Sequence, residues 1–234
     1  MTIVDGLLYL CGAPASIAAG YRKNRKMLKR LQRNFKQRLS FLRRRFVKPA
    51  LPRNNDGKVL LHIGCGEKNS PEFINIDAQP FAHVHIVTDD ITSLADFATG
   101  TVDLVYMCHI LEHIKRSKLK NVLSEMKRIL KDGGVLRLSV PDFDRLVEVY
   151  NASGNNIESI SRQLMGGQDH QYNIHYSVFN HRRLSELLKE VGFRKVVSWD
   201  PDNCRYHNFK DKASKRIKIN GKEYMISLNL EAIK

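Results

Sequence analysis

At 234 residues the chain has room for one domain of ordinary size plus an appendage, and its 42% hydrophobic content is enough for a real core. A formal charge of +15 would suggest a polyanion-binding protein throughout, but residues 1–55 hold 14 Lys/Arg against one acid (+13), leaving 25 against 23 (+2) for residues 56–234. Four scattered cysteines without a C-x-x-C pair argue against a disulfide scaffold and for reduced, cytoplasmic thiols, while Asp5, Gly12 and Pro14 break up the first apolar stretch, so neither a signal peptide nor a good spanning helix is expected.

Residues 21–48 carry Leu28, Leu31, Phe35, Leu39, Leu42 and Phe46 at steps of three and four, an apolar stripe on a helix otherwise faced with Lys and Arg. The stripe suits packing on the main domain, an anionic membrane surface at the inner membrane face, or, less readily, RNA. Pro49, Pro52 and the run to Gly57 read as a linker, dividing the chain into a basic arm (1–55) and a main domain (56–234).

From Lys58 the pattern alternates. Strands are expected at 59–63, 72–76, 83–87 and 102–108, with a short helix near 91–97. A helix over 115–130 is marked by Leu119, Val122, Leu123, Met126 and Ile129, with Gly133 and Gly134 as its C-terminal cap. A strand at 135–140 precedes a helix from Asp142 to about Tyr150. The polar stretch 151–179 is too long for a simple connection and reads as a functional insertion. A helix over 181–191 leads to a β-rich end whose Asn220-Gly221 signals a hairpin. This alternation predicts an α/β fold with a mostly parallel sheet, in which ligands sit beyond the carboxyl ends of the strands.

Gly64-Cys65-Gly66 ends the first strand and Asp77 ends the second, which suits a close backbone approach to a ligand and an acid for ribose hydroxyls. Asn69 stands where G-x-G-x-x-G has its third glycine, so the pyrophosphate-binding version is disfavoured. The crossover after Ile63 has space for little more than one helical turn. His83 and His85 point to one strand face as surface or partly buried histidines, with a metal pair the minor reading.

Together, IGCG, NID, Asp90-Ile91, VDLVYMCHILEHI and LKDGGVLRLSVPD over about residues 58–200 resemble the class I S-adenosylmethionine-dependent methyltransferases, and more narrowly the predicted methyltransferases of bacterial surface-polysaccharide gene clusters. The resemblance implies a Rossmann-like sheet of seven strands with the last antiparallel and S-adenosyl-L-methionine as cofactor. Gly64, Cys65 and Gly66 would line its methionine, Asp77 would hold the ribose, Asp90 and Ile91 would contact adenine, and Cys108 and His109 would face cofactor or acceptor. Asp90 could instead cap a following helix.

An alcohol acceptor needs a base within hydrogen-bond reach, for which the candidates are His109, Asp142, His170, His175 and His181, with His170 and His175 preferred. The expected activity is O-methylation of a sugar in a surface glycan or its precursor. RNA methylation and a non-catalytic cofactor-binding role are the alternatives. His109-x-x-Glu112-His113 also matches the H-x-x-E-H zinc peptidase signature, a remote reading because the preceding run is a strand; Glu112 and His113 are expected to fix the loop instead, and no metal is expected.

Overall fold

The computed structural model describes residues 35, 38–52, 54–169 and 171–234. Residues 38–46 are helical, so Leu39, Leu42 and Phe46 of the basic arm keep the expected spacing on a helix. Residues 21–34 and His170 lie outside the described residues. No helix among the described residues is long and apolar enough to cross a membrane.

Residues 49–234 form a compact unit built on one sheet. Its strands are β1 (Leu60–Ile63), β2 (Ile74–Asp77), β3 (Ile86–Val87), β4 (Val102–Cys108), β5 (Leu130–Pro141), β6 (Lys195–Ser198) and β9 (Ser227–Ile233), in the order β3-β2-β1-β4-β5-β9-β6. All neighbours run parallel except β9, which lies antiparallel between β5 and β6. The Rossmann-like expectation, with seven strands and the last antiparallel, is met. The order reverses at β1, so the ends of β1 and β4 flank the crevice in which such sheets bind ligands.

The strands alternate between two cores. Leu61, Ile63, Val105, Met107, Leu136 and Leu138 face helices α1 (Leu119–Ile129) and α4 (His181–Glu190), whose Val122, Leu123, Met126, Leu184, Leu187 and Leu188 are buried. On the other face Leu60, Leu104 and Tyr106 pack with Phe73, Trp199 and Ala213, and Cys204, Tyr206 and Phe209 close over them. The short link between β1 and β2 forms turns rather than a crossover helix, so residues 199–213 supply this second cover. They are pinned by Trp199 Nε1 donating to Leu138 O (3.0 Å) and Arg137 Nη1 to Arg205 O (2.8 Å). Beneath them Tyr106 donates to Asp211, and His207 and Tyr106 together hold the Asp211 carboxyl at about 2 against the opposing effect of burial.

Four expectations change. The strand expected over 83–87 shortens to Ile86–Val87, leaving His83 and His85 before it. No helix forms near 91–97, because side chains of α1 take the backbone groups a helix would pair internally: Glu125 accepts from Leu94 N, and Arg128 donates to Leu94 O and Phe97 O. The helix expected over 115–130 begins at Leu119 after a 3-10 turn and ends at Ile129. Gly133 and Gly134 do not cap it but bend β5 where the chain's end pairs with it, Gly133 N donating to Lys234 O and Lys234 N to Gly134 O. The stretch 151–179 contains a helix, α3 (Glu158–Met165), whose Ile160 packs with Leu146 and Val149 of α2 (Phe143–Ala152). The hairpin is present as β7 (Arg216–Ile219) and β8 (Lys222–Met225), with both Asn220 (φ 49°) and Gly221 (φ 85°) left-handed as a type I′ turn requires. It forms its own two-stranded sheet against α2 and α3, outside the main sheet.

Two predictions follow from the β1 region. His62 is 2% exposed and bonded to Ser70 Oγ, and burial pushes its imidazole down to about 3. The unfolded chain therefore binds a proton near pH 6.5 that the folded chain refuses, so this stability is complete above pH 6.5 and drains as pH falls. The stability difference between wild type and His62→Gln should shrink by about 2 kcal/mol between pH 7 and pH 5 in urea unfolding; a constant difference would refute the assignment. Gly64 (φ 68°) has the Ile110 side chain where a Cβ would stand, 2.0 Å from Cδ1, whereas Gly66 (φ 54°) has open space there. Gly64→Ala should cost about 2–4 kcal/mol and Gly66→Ala about 1 kcal/mol, read from urea midpoints; equal costs would contradict the close approach.

Candidate active site

The β1–β2 turn is built from backbone donors and one carboxylate. Gly64 N and Cys65 N donate to Ile76 O (2.8 and 3.3 Å), drawing the turn onto the end of β2. Asp77 Oδ2 accepts from Gly66 N (2.7 Å) and Oδ1 from Gln79 N (2.8 Å), so each oxygen has further acceptor capacity. His83 closes the turn from the other side by donating to Gly66 O (3.0 Å), and burial pushes its imidazole down. His85 accepts from Asn75 N (2.8 Å) and lies 3.0 Å from Ala50 O, so the two histidines brace backbone on either side of β2. The Cys65 side chain is buried and its thiol is pushed up by burial and by Asp77; what it can present to a ligand is backbone.

This end of the sheet fits S-adenosylmethionine on two observations. The open space beside the Gly66 Cα leaves a groove that any side chain would enter, and Asp77 keeps acceptor capacity for hydroxyl donors. Asp90 is exposed beyond β3 and accepts from Thr92 N and Thr92 Oγ1 (2.9 and 2.6 Å), which holds its carboxyl below the usual range. No helix follows for it to cap. Ile91 is 9% exposed and belongs to the helix-side core. Cys108 ends β4 but packs on the aromatic face with Tyr106, and burial pushes its thiol up.

After β4 the chain turns sharply at His109, a non-glycine residue at φ 55°, an uncommon conformation of the kind often found at functional sites. A 3-10 turn over Leu111–His113 then carries Glu112, 1% exposed, into the interior. Three histidines converge on it. His109 Nδ1 lies 3.1 Å from Glu112 Oε1, close enough for an ion pair, yet neither carboxylate oxygen has a well-aligned hydrogen-bond donor. His175 Nε2 lies 4.0 Å from the same oxygen, and the rings of His113 and His175 meet edge to face at 4.6 Å. Burial opposes ionisation of Glu112, but the three imidazoles outweigh it and hold the carboxyl below its ordinary value; burial pushes His113 and His175 down.

The described residues on either side of position 170, 166–169 and 171–177, bring His175 there by a tight reversal. Gly166 (φ 79°) passes so close to Asn173 O that a Cβ would stand 2.4 Å from it, and Gln168 N donates to Asn173 O (2.8 Å). Tyr176 N and Ser177 N both donate to Glu112 O (2.8 and 3.2 Å), and Ser177 Oγ donates to Ile114 O (3.0 Å). The insertion is thus stitched to the loop after β4.

Of the candidate bases, His109 and His175 come together on Glu112. Asp142 is engaged as the N-cap of α2, accepting from Asp144 N and paired with Arg145 at 3.2 Å; burial pushes its carboxyl up against that pairing. His181 is the exposed first residue of α4. The zinc peptidase reading fails on geometry: residues 109–113 are a strand end and a 3-10 turn, not one face of a long helix, and Glu112 is enclosed by histidines instead of facing a cleft. Sequence alone marks Glu112 and His113 as loop supports, and only the pairing of an acid with several histidines hints at more. A cleft of about 630 Å³ lined by Arg116, Lys120, Ser177, Phe179 and Arg183 lies between α1 and the 177–187 segment, away from the β1–β2 turn.

A family model for a methyltransferase domain matches residues 27–198. Curated proteins give no match. Among solved structures the chain is similar to an S-adenosylmethionine-dependent methyltransferase of Archaeoglobus fulgidus (16% identity, 76% of this chain and 86% of that one, TM-score 0.47) and to one of Thermotoga maritima (17%, 89% and 97%, 0.48). It is also similar to a Burkholderia thailandensis 1,6-didemethyltoxoflavin-N1-methyltransferase bound to its substrate and S-adenosylhomocysteine (17%, 95% and 91%, 0.45). With the family model spanning well over half of its length, the chain belongs to the methyltransferase domain family and is an S-adenosylmethionine-dependent methyltransferase.

Proposed function

We propose that the enzyme methylates a hydroxyl oxygen of a sugar in a surface glycan or its precursor. The observation that carries the reading is the approach of two imidazoles, His109 and His175, at the carboxyl end of the sheet that also carries Gly66 and Asp77. A hydroxyl acceptor is the kind that needs its proton removed.

In this reading the backbone of Gly64, Cys65 and Gly66 lines the methionine part of the donor, and Asp77 accepts from its ribose hydroxyls while keeping its bonds to Gly66 N and Gln79 N. Asp90 and Ile91 border the adenine. Cys108 contributes backbone only, because its side chain packs on the aromatic face. The bound donor supplies an electrophilic methyl on a sulfonium, and since charge disappears in the displacement, alignment supplies much of the acceleration. His109 is anchored through Nε2 to Ser227 Oγ (2.9 Å), which fixes its ring beside Glu112 and suits it to take or relay the acceptor proton. Tyr172 and Tyr176, 44% and 42% exposed, stand three residues before and one after His175 in the chain and offer aromatic surface with hydroxyl edges to a sugar ring. The basic arm over residues 21–48 would keep the enzyme at an anionic membrane surface, near lipid-linked acceptors.

With a tritiated methyl donor, label should enter an oligosaccharide acceptor as an alkali-stable ether. His109→Asn should lower kcat by about 100-fold or more while donor affinity changes little. Label entering RNA, or an amine in preference to a hydroxyl, would overturn the acceptor class. An unchanged kcat would remove His109 from proton transfer.

A further inference from the structure

We propose that Glu112, His113 and His175 form a binding site for a first-row divalent transition-metal cation, Zn²⁺ in the first instance, with His109 bordering it. The site stands against the sequence expectation that no metal is bound.

His113 Nδ1 lies 3.0 Å from Ile174 O and His175 Nδ1 lies 3.0 Å from Gln163 O; a carbonyl only accepts, so each Nδ1 carries hydrogen and each Nε2 presents a lone pair. Ser227 Oγ donates to Lys212 O (2.8 Å), so it accepts from His109 Nε2, which leaves His109 Nδ1 facing Glu112 Oε1 at 3.1 Å on the border of the site. Glu112 adds two carboxylate oxygens, both without an aligned donor, on a side chain 1% exposed. Two imidazole lone pairs, those of His113 and His175, therefore face a buried carboxylate whose nearest polar neighbour is His109 Nδ1 at 3.1 Å. A buried acceptor cluster of this kind needs a positive charge at its centre.

The geometry suits a metal ion for that charge. One ligand atom from each of Glu112, His113 and His175 lies within 4.8 Å of the others. Tetrahedral ligands at about 2.1 Å from a metal stand roughly 3.4 Å apart, so a closure of about an ångström brings the three ligands to bonding distance. Backbone carbonyls already hold both imidazoles by the nitrogen opposite the ligand atom, the arrangement that orients histidines on metals. Two imidazoles and one carboxylate favour Zn²⁺, Co²⁺, Mn²⁺ or Fe²⁺ over the all-oxygen preferences of Mg²⁺ and Ca²⁺, and three protein ligands leave an open position. These are not the ligands of the H-x-x-E-H signature: there the two histidines of the motif bind and the glutamate activates water, whereas here Glu112 is itself a ligand and the second histidine comes from His175. The existence of the site does not depend on the acceptor reading. Its use in acceptor activation does, and that use requires the enclosed Glu112 to become accessible to the hydroxyl, which would then lose its proton to water more readily.

The test is titration of metal-free, full-length protein with Co²⁺ and Zn²⁺ in the absence of methyl donor, followed by calorimetry and by the visible absorption of bound Co²⁺. About one equivalent should bind, with nitrogen-ligated Co²⁺ absorption, and His113→Ala and His175→Ala should each weaken binding at least about tenfold. Exposed His181→Ala should bind as wild type does. Circular dichroism identifies any variant that has not folded; His175 lies in the 166–177 loop rather than a strand, so its variant keeps the test decisive if the His113 variant fails. Absence of stoichiometric binding in wild type, or equal binding by His175→Ala, would overturn the site and leave the central charge to a proton. Either result is read without the methyl donor and so stands apart from failure of the glycan reading.

Discussion

Only residues 64–73 join β1 to β2, and that shortness governs how the rest of the chain is arranged. A parallel crossover normally spends a dozen or more residues on a helix that covers one sheet face. Here the turn folds straight back, Gly64 N and Cys65 N bonding to Ile76 O, and the face beside it must be covered from elsewhere. Residues 199–213 do this with Trp199, Tyr206, His207 and Phe209 laid over Tyr106 and Phe73. Tyr106 and Phe73 are each 1% exposed, and burying such a side chain contributes about 1.5–3 kcal/mol. The same tight turn brings Gly66 N onto Asp77, so the economy that removes a helix also builds the turn proposed to hold the methyl donor.

The loop after β4, proposed above as the acceptor end, is organised around a second constraint, a buried carboxylate. Glu112 enters the interior because His109 turns the chain through a left-handed conformation after β4, and its backbone carbonyl then receives Tyr176 N and Ser177 N. Backbone and side chain of one residue thereby join the loop after β4 to the insertion that carries His175. Removing the charge while leaving the histidines would unbalance the cluster, and removing the histidines would strand an anion in the interior, so its members are interdependent.

Much of this architecture was legible in the sequence. β1, β4 and β5 announce themselves as apolar runs, α1 by Leu119, Val122, Leu123, Met126 and Ile129, and the hairpin by Asn220-Gly221, since these signals depend on local periodicity and turn chemistry. The misread elements are those set by distant partners. The segment near 91–97 is denied a helix by Glu125 and Arg128, and the glycines at 133 and 134 are drawn into β5 by Lys234. Helix α3 hides because only Ile157, Ile160 and Leu164 mark its spacing in a polar stretch. Of the site, the glycine turn and Asp77 could be named because strand ends fix them. His175 could be named as a candidate, but its meeting with Glu112 could not, because a contact across that separation leaves no periodic trace.

The measurement that bears most directly on the whole account is calorimetric binding of S-adenosylhomocysteine to wild type and to Asp77→Ala. Two charge-assisted hydrogen bonds from ribose hydroxyls are worth enough that the variant should bind about 100-fold or more weakly than a micromolar wild type. Unaltered affinity in Asp77→Ala, or no binding by the wild type, would contradict the placement of the donor at the β1–β2 turn.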